Sequence, residues 1–325
     1  MRCDFTTLAA AMLGVALCGS AAHAVGPYVV TDLGGFEPKA INDHGVLAGR
    51  GADGRPARWE NGVASGLGIA SFGAANSINN AGRIVGTVNG ASPSFEQAFV
   101  YNNTGTTTFL THFHSTLALD VNASGTFGGW AYQPAGGIPK QYGPRAFINQ
   151  VNNWISLPGN NYAERVDAMN DNGVAVGHGG LATYRYNGPG TGTYLSNFDY
   201  VADINNAGDI IGGEGVTEQT ALLRRANGTF VSLPKPSGMT GMGVGAVNES
   251  LHIVGNMFGA ASRAFIWTQT TGTVDLNTVA VGMPAGWVIT RASDINEAGQ
   301  IIGNETLPFD DAVVAREALA AASQQ

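Results

Sequence analysis

Seven carboxylates stand apart from any repeated motif in this chain: Glu164, Asp167, Asp199, Glu214, Glu218, Asp310 and Asp311. Two of them gathered in one pocket would supply the acid and base of glycoside cleavage or of a lyase reaction. No spacing marks such a pair, so solvated surface acids are the simpler expectation. Serine chemistry is unmarked as well, because Gly-x-Ser-x-Gly does not occur. His112 and His114 alternate as strand neighbours do, which places both rings on one face. Two imidazoles are half a transition-metal site, and with no third ligand in view they read as decoration of a loop or exposed strand. The stretch from Asp203 to Asp209 has some of the acids of a calcium loop. The equivalent places elsewhere, Asn42-Asp43, Asn79-Asn80 and Asn122-Ala123, carry too little charge, and a hairpin turn explains all of them. No metal or other cofactor is expected.

A different kind of chemistry is offered by Trp130, Tyr132 and Tyr142, which flank or occupy a Gly- and Pro-rich stretch from Ala131 to Pro144. Aromatic rings beside polar neighbours can stack on a sugar or a peptide while hydrogen bonding it. Rings that merely pin a long loop are the plainer alternative. Both readings require a scaffold that holds the loop out.

That scaffold is written as a repeat. An Asn recurs at 42, 79, 122, 170, 205, 248 and 296, at spacings of 37, 43, 48, 35, 43 and 48. The mean, about 42, is the length of a propeller blade. Each Asn follows an apolar residue and, in six units, precedes a Gly by three places; the sixth unit has Leu251 there. Asn can bond backbone two residues on and Gly accepts the positive φ of a tight turn, so Asn-x-x-Gly predicts a hairpin, altered or strained at Leu251. Asn61-Gly62 and Asn227-Gly228 predict a second corner. Each unit then parses as four strands, the third carrying an aromatic: Trp59, Phe99, Phe147, Tyr184 and Phe265. Recurring aromatics build the continuous core of a repeat, and five phased binding sites would be the sharper claim.

The last unit runs out after a third strand near Ala312-Val313-Val314, whereas Tyr28 to Gly34 resembles a fourth strand with no predecessors. Joining them completes a blade and removes two open sheet edges. The expectation is therefore an all-β, seven-bladed β-propeller of four-stranded blades, the last closed by the N-terminal strand, forming one domain over residues 25–325. The tail from Ala318 should fray.

These landmarks resemble the bacterial HAF-repeat family of extracellular repeat proteins, whose units carry I-N-x-x-G-x-V-V-G, H-A-F-L-W-like and D-L-G elements. The resemblance covers Tyr28 to Val314. The His of H-A-F is here Arg145, Arg263 or Gln97, and the fifth unit has Ala221-Leu222-Leu223. What the resemblance implies is export and a propeller-like fold, with no activity to carry over.

Composition agrees with this plan. The chain has 325 residues, 47 Gly and only 12% charged residues, a balance that suits short strands and tight turns. A net charge of −8 without any basic run argues against nucleic acid and anionic membranes as partners. Arg2, an apolar run from Leu8 to Leu17 and Ala22-His23-Ala24 read as a secretory leader cleaved near Ala24, too short to span a bilayer. Lipidation at Cys18 is the minor alternative, since Leu17 fits such processing poorly. Cys3 and Cys18 both lie in that leader, so the exported chain would have no cysteine and must be held by burial and backbone pairing. The functional expectation is a non-enzymatic binding or structural module for an extracellular glycan or cell-surface protein. The rival is a carbohydrate-active enzyme, a glycoside hydrolase or polysaccharide lyase with acids around a central channel.

Overall fold

The computed structural model describes residues 14–18, 27–90, 95–110, 115–132, 145–148, 164–180, 182–188, 191–215 and 219–306. His112, His114, Tyr142, Glu218, Asp310, Asp311, the segment 312–314 and the tail lie outside them. The fold is an all-β propeller. Six sheets each come from one contiguous stretch: sheet I (37–66), II (73–109), III (115–148), IV (164–194), V (200–232) and VI (241–275). Within each, strands are antiparallel and adjacent in sequence order, so the hairpins set the topology. A further sheet joins both ends of the chain and runs 280–281, 28–32, 14–18, 301–306, 288–295 across its width.

Four strands per sheet is the rule only in part. Sheet III shows three strands among the described residues, and the terminal sheet has five. In the terminal sheet Tyr28–Asp32 is not the direct neighbour of Ile301–Thr306, because Gly14–Cys18 pairs with both. The third-strand place assigned to residues near Val313 is thus held by part of the expected leader. A one-turn helix, Leu276–Val279, capped by the Asp275 side chain, also interrupts the all-strand plan.

Burial explains why the sheets stand in a ring. Apolar clusters occupy each junction in turn, from the terminal sheet and I, through I and II, II and III, III and IV, IV and V and V and VI, back to VI and the terminal sheet. Phe99, Phe147 and Phe265 are wholly buried at these junctions, and Trp59 nearly so. Each such ring contributes roughly 2–3 kcal/mol by leaving water. Tyr184 differs, being only partly buried and tilted against Tyr194 at 5.7 Å.

The Asn of each unit is buried and works in two directions. Its side-chain oxygen accepts the backbone N–H four residues on, at 2.8 to 3.0 Å in all seven units. Only Asn42 also accepts the N–H two residues on, the bond expected throughout. Its amide donates to the main-chain oxygen of the next unit's Asn, from Asn42 to Asn79 and onward, until Asn296 donates to Asn42 at 2.9 Å. The circuit closes on itself.

At Leu251 the turn is kept rather than altered. Its N–H donates to Asn248 O at 3.0 Å, as the glycines do, and its φ is +59°. The strain is held by packing, since Leu251 is buried against Trp267 and its neighbours. Leu251→Ala should therefore destabilise by about 2–4 kcal/mol, losing packing and keeping the strain. Leu251→Gly loses the same packing but relaxes the backbone, so its urea midpoint should correspond to about 1 kcal/mol less damage.

A second set of glycines answers a different constraint. Every first strand has a register shift that leaves an extra residue, Lys39, Asn76, Leu119, Asp167, Ala202, Gly245 or Ser293, and the terminal sheet has a second at Thr290. Beside this bulge a first-strand carbonyl lies over a second-strand Gly. A Cβ at Gly49, Gly86, Gly129, Gly177, Gly212, Gly255 or Gly303 would stand 1.9 to 2.3 Å from that oxygen.

Candidate functional site

The Asn turns and the third-to-fourth corners emerge on one side, where Asn42 and His44 share a hollow with Arg58, Glu60 and Asn103. At the centre of this side lies a depression of about 260 Å³ ringed by the residues after each Asn, including Asp43, Asn80, Asp171, Asn206, Glu249 and Glu297. Their oxygens have a structural duty. Each accepts the backbone N–H of the preceding unit at the same place: Asn80 from Asp43, Asp171 from Ala123, Asn206 from Asp171, Glu249 from Asn206, Glu297 from Glu249 and Asp43 from Glu297, at 2.6 to 2.9 Å. Ala123 breaks the series. Amides of Asn80 and Asn206 also donate to the second oxygens of Asp43 and Asp171. Burial pushes the Glu297 carboxyl up, and Asp43 and Glu249 add repulsion. Among the described residues no group of three or more His, Cys, Asp or Glu is placed to hold a metal ion. The Asp203–Asp209 stretch is one of the hairpin turns, as its Asn205 bonds require.

Three carboxylates two residues before the Asn staple three of the junctions, terminal–I, III–IV and V–VI. Asp294 accepts the N–H of Ile41 at 2.9 Å, Asp120 that of Met169 at 2.7 Å and Asp203 that of Val247 at 2.9 Å, and each also caps the residue after it. Desolvation nevertheless wins over these bonds. It pushes Asp294 up to about 7 and raises Asp120 and Asp203 too, with repulsion from neighbouring carboxylates adding to it. The native state then keeps protons that the unfolded chain, near 3.8, has released. For Asp294 the contribution to stability is full below about pH 3.8 and is lost as pH rises through about 7, and the raised Asp120 and Asp203 act in the same direction. Thermal unfolding is expected at a higher temperature at pH 5 than at pH 8 in matched salt. A transition unchanged between the two, or higher at pH 8, would contradict this ledger.

The opposite side receives the second-to-third connections and the links between sheets. Phe72, Phe95 and Tyr132 are exposed on this side. Trp130 and Tyr132 lie on one face of the second strand of sheet III, their rings packed edge-on at 5.3 Å. Phe127 and Ala131, on the alternate face, belong to the junction with sheet II. Trp130 and Tyr132 consequently face sheet IV, as does Gly128, whose absent Cβ would meet Val166 and Met169. Tyr132 is 41% exposed, whereas Trp130 is half-buried. Tyr184 and the buried Glu164 stand at the same junction. Of the three aromatics singled out in the sequence, two are thus brought together.

The lone carboxylates do not converge as a set. Glu164 faces sheet III, while Asp167, the bulged residue, meets His178 and Arg165 at the loop end of sheet IV. His178 Nδ1 contacts one Asp167 oxygen and Arg165 Nε the other. His178 alternates with Ala175 and Gly177 and shares a face with Val176, which packs toward sheet V. The Tyr186 hydroxyl lies 2.9 Å from Arg165 O and 3.0 Å from His178 O and shares its one proton between them, bracing this end. Burial, with Glu164 and Asp167 nearby, raises the Tyr186 phenol far above its ordinary range. Asp199 instead accepts the N–H of Gly215 in a loop of sheet V. His178 escaped the sequence reading, although pairing the hairpin around Asn170 residue by residue sets it opposite Arg165.

No protein-family model matches the chain, and no curated protein matches it. Among solved structures it is similar to the acylaminoacyl peptidase of Pyrococcus horikoshii, with TM-score 0.50 and 10% identity over 81% of this chain and 48% of that one. It is also similar to virginiamycin B lyase from Staphylococcus aureus, at TM-score 0.49 and 11% identity over 84% and 96%. A third is the β-propeller domain of the Trilobed protease from Pyrococcus furiosus, at TM-score 0.38 and 11% identity over 74% and 97%. The chain spans about half the length of the peptidase. At such identity the likeness is one of fold, and the fold defines a β-propeller module. Among the described residues no helix is long and apolar enough to cross a membrane.

Proposed function

We propose that the chain is an exported, seven-bladed propeller of the HAF-repeat kind that serves as a non-catalytic binding module for an extracellular glycan or cell-surface protein. The seven sheets and the circuit of seven Asn amides support the blade count. The observation that carries the binding reading is the Trp130–Tyr132 pair, edge-packed, partly exposed and turned toward sheet IV on the loop side. A half-exposed phenol held by an indole offers an apolar plate and a hydroxyl together, at little entropic cost to the binder. Glycan-array binding by the chain from Val25 onward is the test. Tyr132→Ala should weaken a hit about tenfold, the loss of one stacking contact, with unchanged thermal unfolding. Full binding by that variant would remove the pair from the site.

A second reading rests on the Asp167–His178 contact. A carboxylate on Nδ1 fixes the imidazole so that Nε2 can take a proton, and Arg165 and the buried Glu164 lie on the same sheet. The same library scored for polysaccharide turnover decides it. Turnover that His178→Ala abolishes would replace the binding-only reading by catalysis.

A further inference from the structure

Glycine stands at three places in sheets V and VI where the repeat does not require it, and together these open one spot. Five residues before each repeated Asn, the first strand faces the residue that follows the close-packed second-strand Gly. The pairs include Glu37–Arg50 in sheet I, Arg165–His178 in IV, Tyr200–Gly213 in V, Gly243–Asn256 in VI and Arg291–Asn304 in the terminal sheet. The closed Asn circuit follows directly on the first strands, which puts them innermost and this level at the inner rim of the loop side. Its cations are unevenly used. Arg50 is held by Glu37 and Arg165 by Asp167. Arg291 is exposed and makes no ion pair or side-chain hydrogen bond among the described residues.

The glycines bring three polar groups toward this free cation. The Tyr200 ring lies over Gly213, whose Cβ would stand 2.5 Å from it. Its hydroxyl thereby reaches sheet VI, where Val244 N–H donates to it at 3.2 Å and leaves its own proton to give. Around the place where a Cβ would stand at Gly243 lie Gln219 Oε1 and Asn256 Oδ1, both at 3.3 Å, and the Tyr200 hydroxyl at 3.6 Å. Neither side-chain carboxamide has a hydrogen-bond partner among the described residues. Gly245 lets the first strands of sheet VI and the terminal sheet close up, its missing Cβ falling 2.7 Å from Ala292 O, next to Arg291. Burial raises the Tyr200 phenol and keeps it protonated, while the bond from Val244 and the charge of Arg291 pull the other way. Four polar side chains with donors to spare, grouped around one missing side chain, make a place for a polar ligand. We propose that Tyr200, Gln219, Asn256 and Arg291 bind a uronic acid unit of a polysaccharide over Gly243, its carboxylate on Arg291 and its hydroxyls on the phenol and the two carboxamides. A single guanidinium beside neutral donors and acceptors suits one carboxylate among hydroxyls, whereas a phosphate calls for more cations. The site is separate from the Trp130–Tyr132 pair of sheet III and does not rest on it.

Isothermal titration of the full chain with the trimers of galacturonic, glucuronic and mannuronic acid is the test. At least one should bind with Kd below about 1 mM, and its methyl ester, which keeps the hydroxyls and lacks the charge, at least about tenfold more weakly. Arg291→Gln should lose about tenfold or more in affinity for that trimer, and Arg291→Lys less, with unfolding temperatures within about 3 °C of wild type. Gly243→Ala sets a methyl group among the three polar ends and should lose as much; the residue is outside the left-handed region, so the backbone is not strained. No binding by any of the three trimers, an ester that binds as well as its acid, or full binding by Arg291→Gln overturns the proposal. Full binding by a folded Gly243→Ala overturns it as well. Should that variant unfold, Tyr200→Phe takes its place: it keeps the ring over Gly213, removes the hydroxyl and should lose about threefold or more, and undiminished binding again overturns the site. Tyr132→Ala separates the two sites. Trimer binding that it leaves intact supports the one at Gly243, whereas binding that it abolishes and Arg291→Gln retains leaves only the Trp130–Tyr132 pair.

Discussion

Gly255→Ala is expected to cost more than about 4 kcal/mol, enough to remove the native baseline from a urea melt. The new Cβ would stand 2.1 Å from Gly243 O and 2.9 Å from the Phe265 ring. Neither can retreat, because the oxygen belongs to a bulged strand paired on the register of sheet VI and the ring is wholly buried between sheets. Gly272→Ala is the matching control. That residue has φ +67° but nothing within 4 Å of its missing Cβ, so only the backbone penalty of about 1 kcal/mol remains. If the two variants lose comparable stability, the close approach in the first has been overstated.

Asn170→Asp is the second large effect, and its size should depend on pH. The wild-type oxygen accepts from Val174 N–H at 2.9 Å, and the amide donates to Asn205 O at 3.0 Å. A carboxylate keeps the first bond and turns the second into two oxygens facing each other, at a site 4% exposed. A loss of about 3–5 kcal/mol at neutral pH follows from burying a charge against an acceptor. Protonation restores a donor. The native pKa of the new group is therefore raised above the unfolded 3.9 or so, and the penalty shrinks below that value and grows as pH climbs through the native one. Asn170→Ala loses both bonds and should show no added pH slope. Equal urea midpoints for Asn170→Asp and wild type at pH 7 would discount the circuit as a source of stability.

How far the sequence carries one toward these features depends on where the partner of each residue lies. Hairpins were readable because both partners are local: Gly45, Gly82 and their counterparts have the positive φ that Asn-x-x-Gly demands. The aromatics Phe99, Phe147 and Phe265 were readable as core because their phase repeats. The outward half of each Asn was not, since its acceptor belongs to a unit 35 to 48 residues away, or 254 at the closure. Asp120, Asp203 and Asp294 lie in the first strands, two residues before the repeated Asn, and their donors are again across a junction. Gly14–Cys18 was hidden for another reason. Apolar residues flanked by small ones suit an export leader and a buried strand equally, so composition could not separate the two roles. At the candidate site, Trp130 and Tyr132 were visible as exposed aromatics, but the direction in which they face required knowing which alternate face packs on sheet II.

The amide circuit has an implication for how such a protein can diversify. The same bond joins units separated by 35 residues and by 48, so it does not sense what lies between consecutive hubs. Insertions in the far loops are therefore expected to leave the ring of amides untouched, and grafted recognition loops are best placed on that far rim.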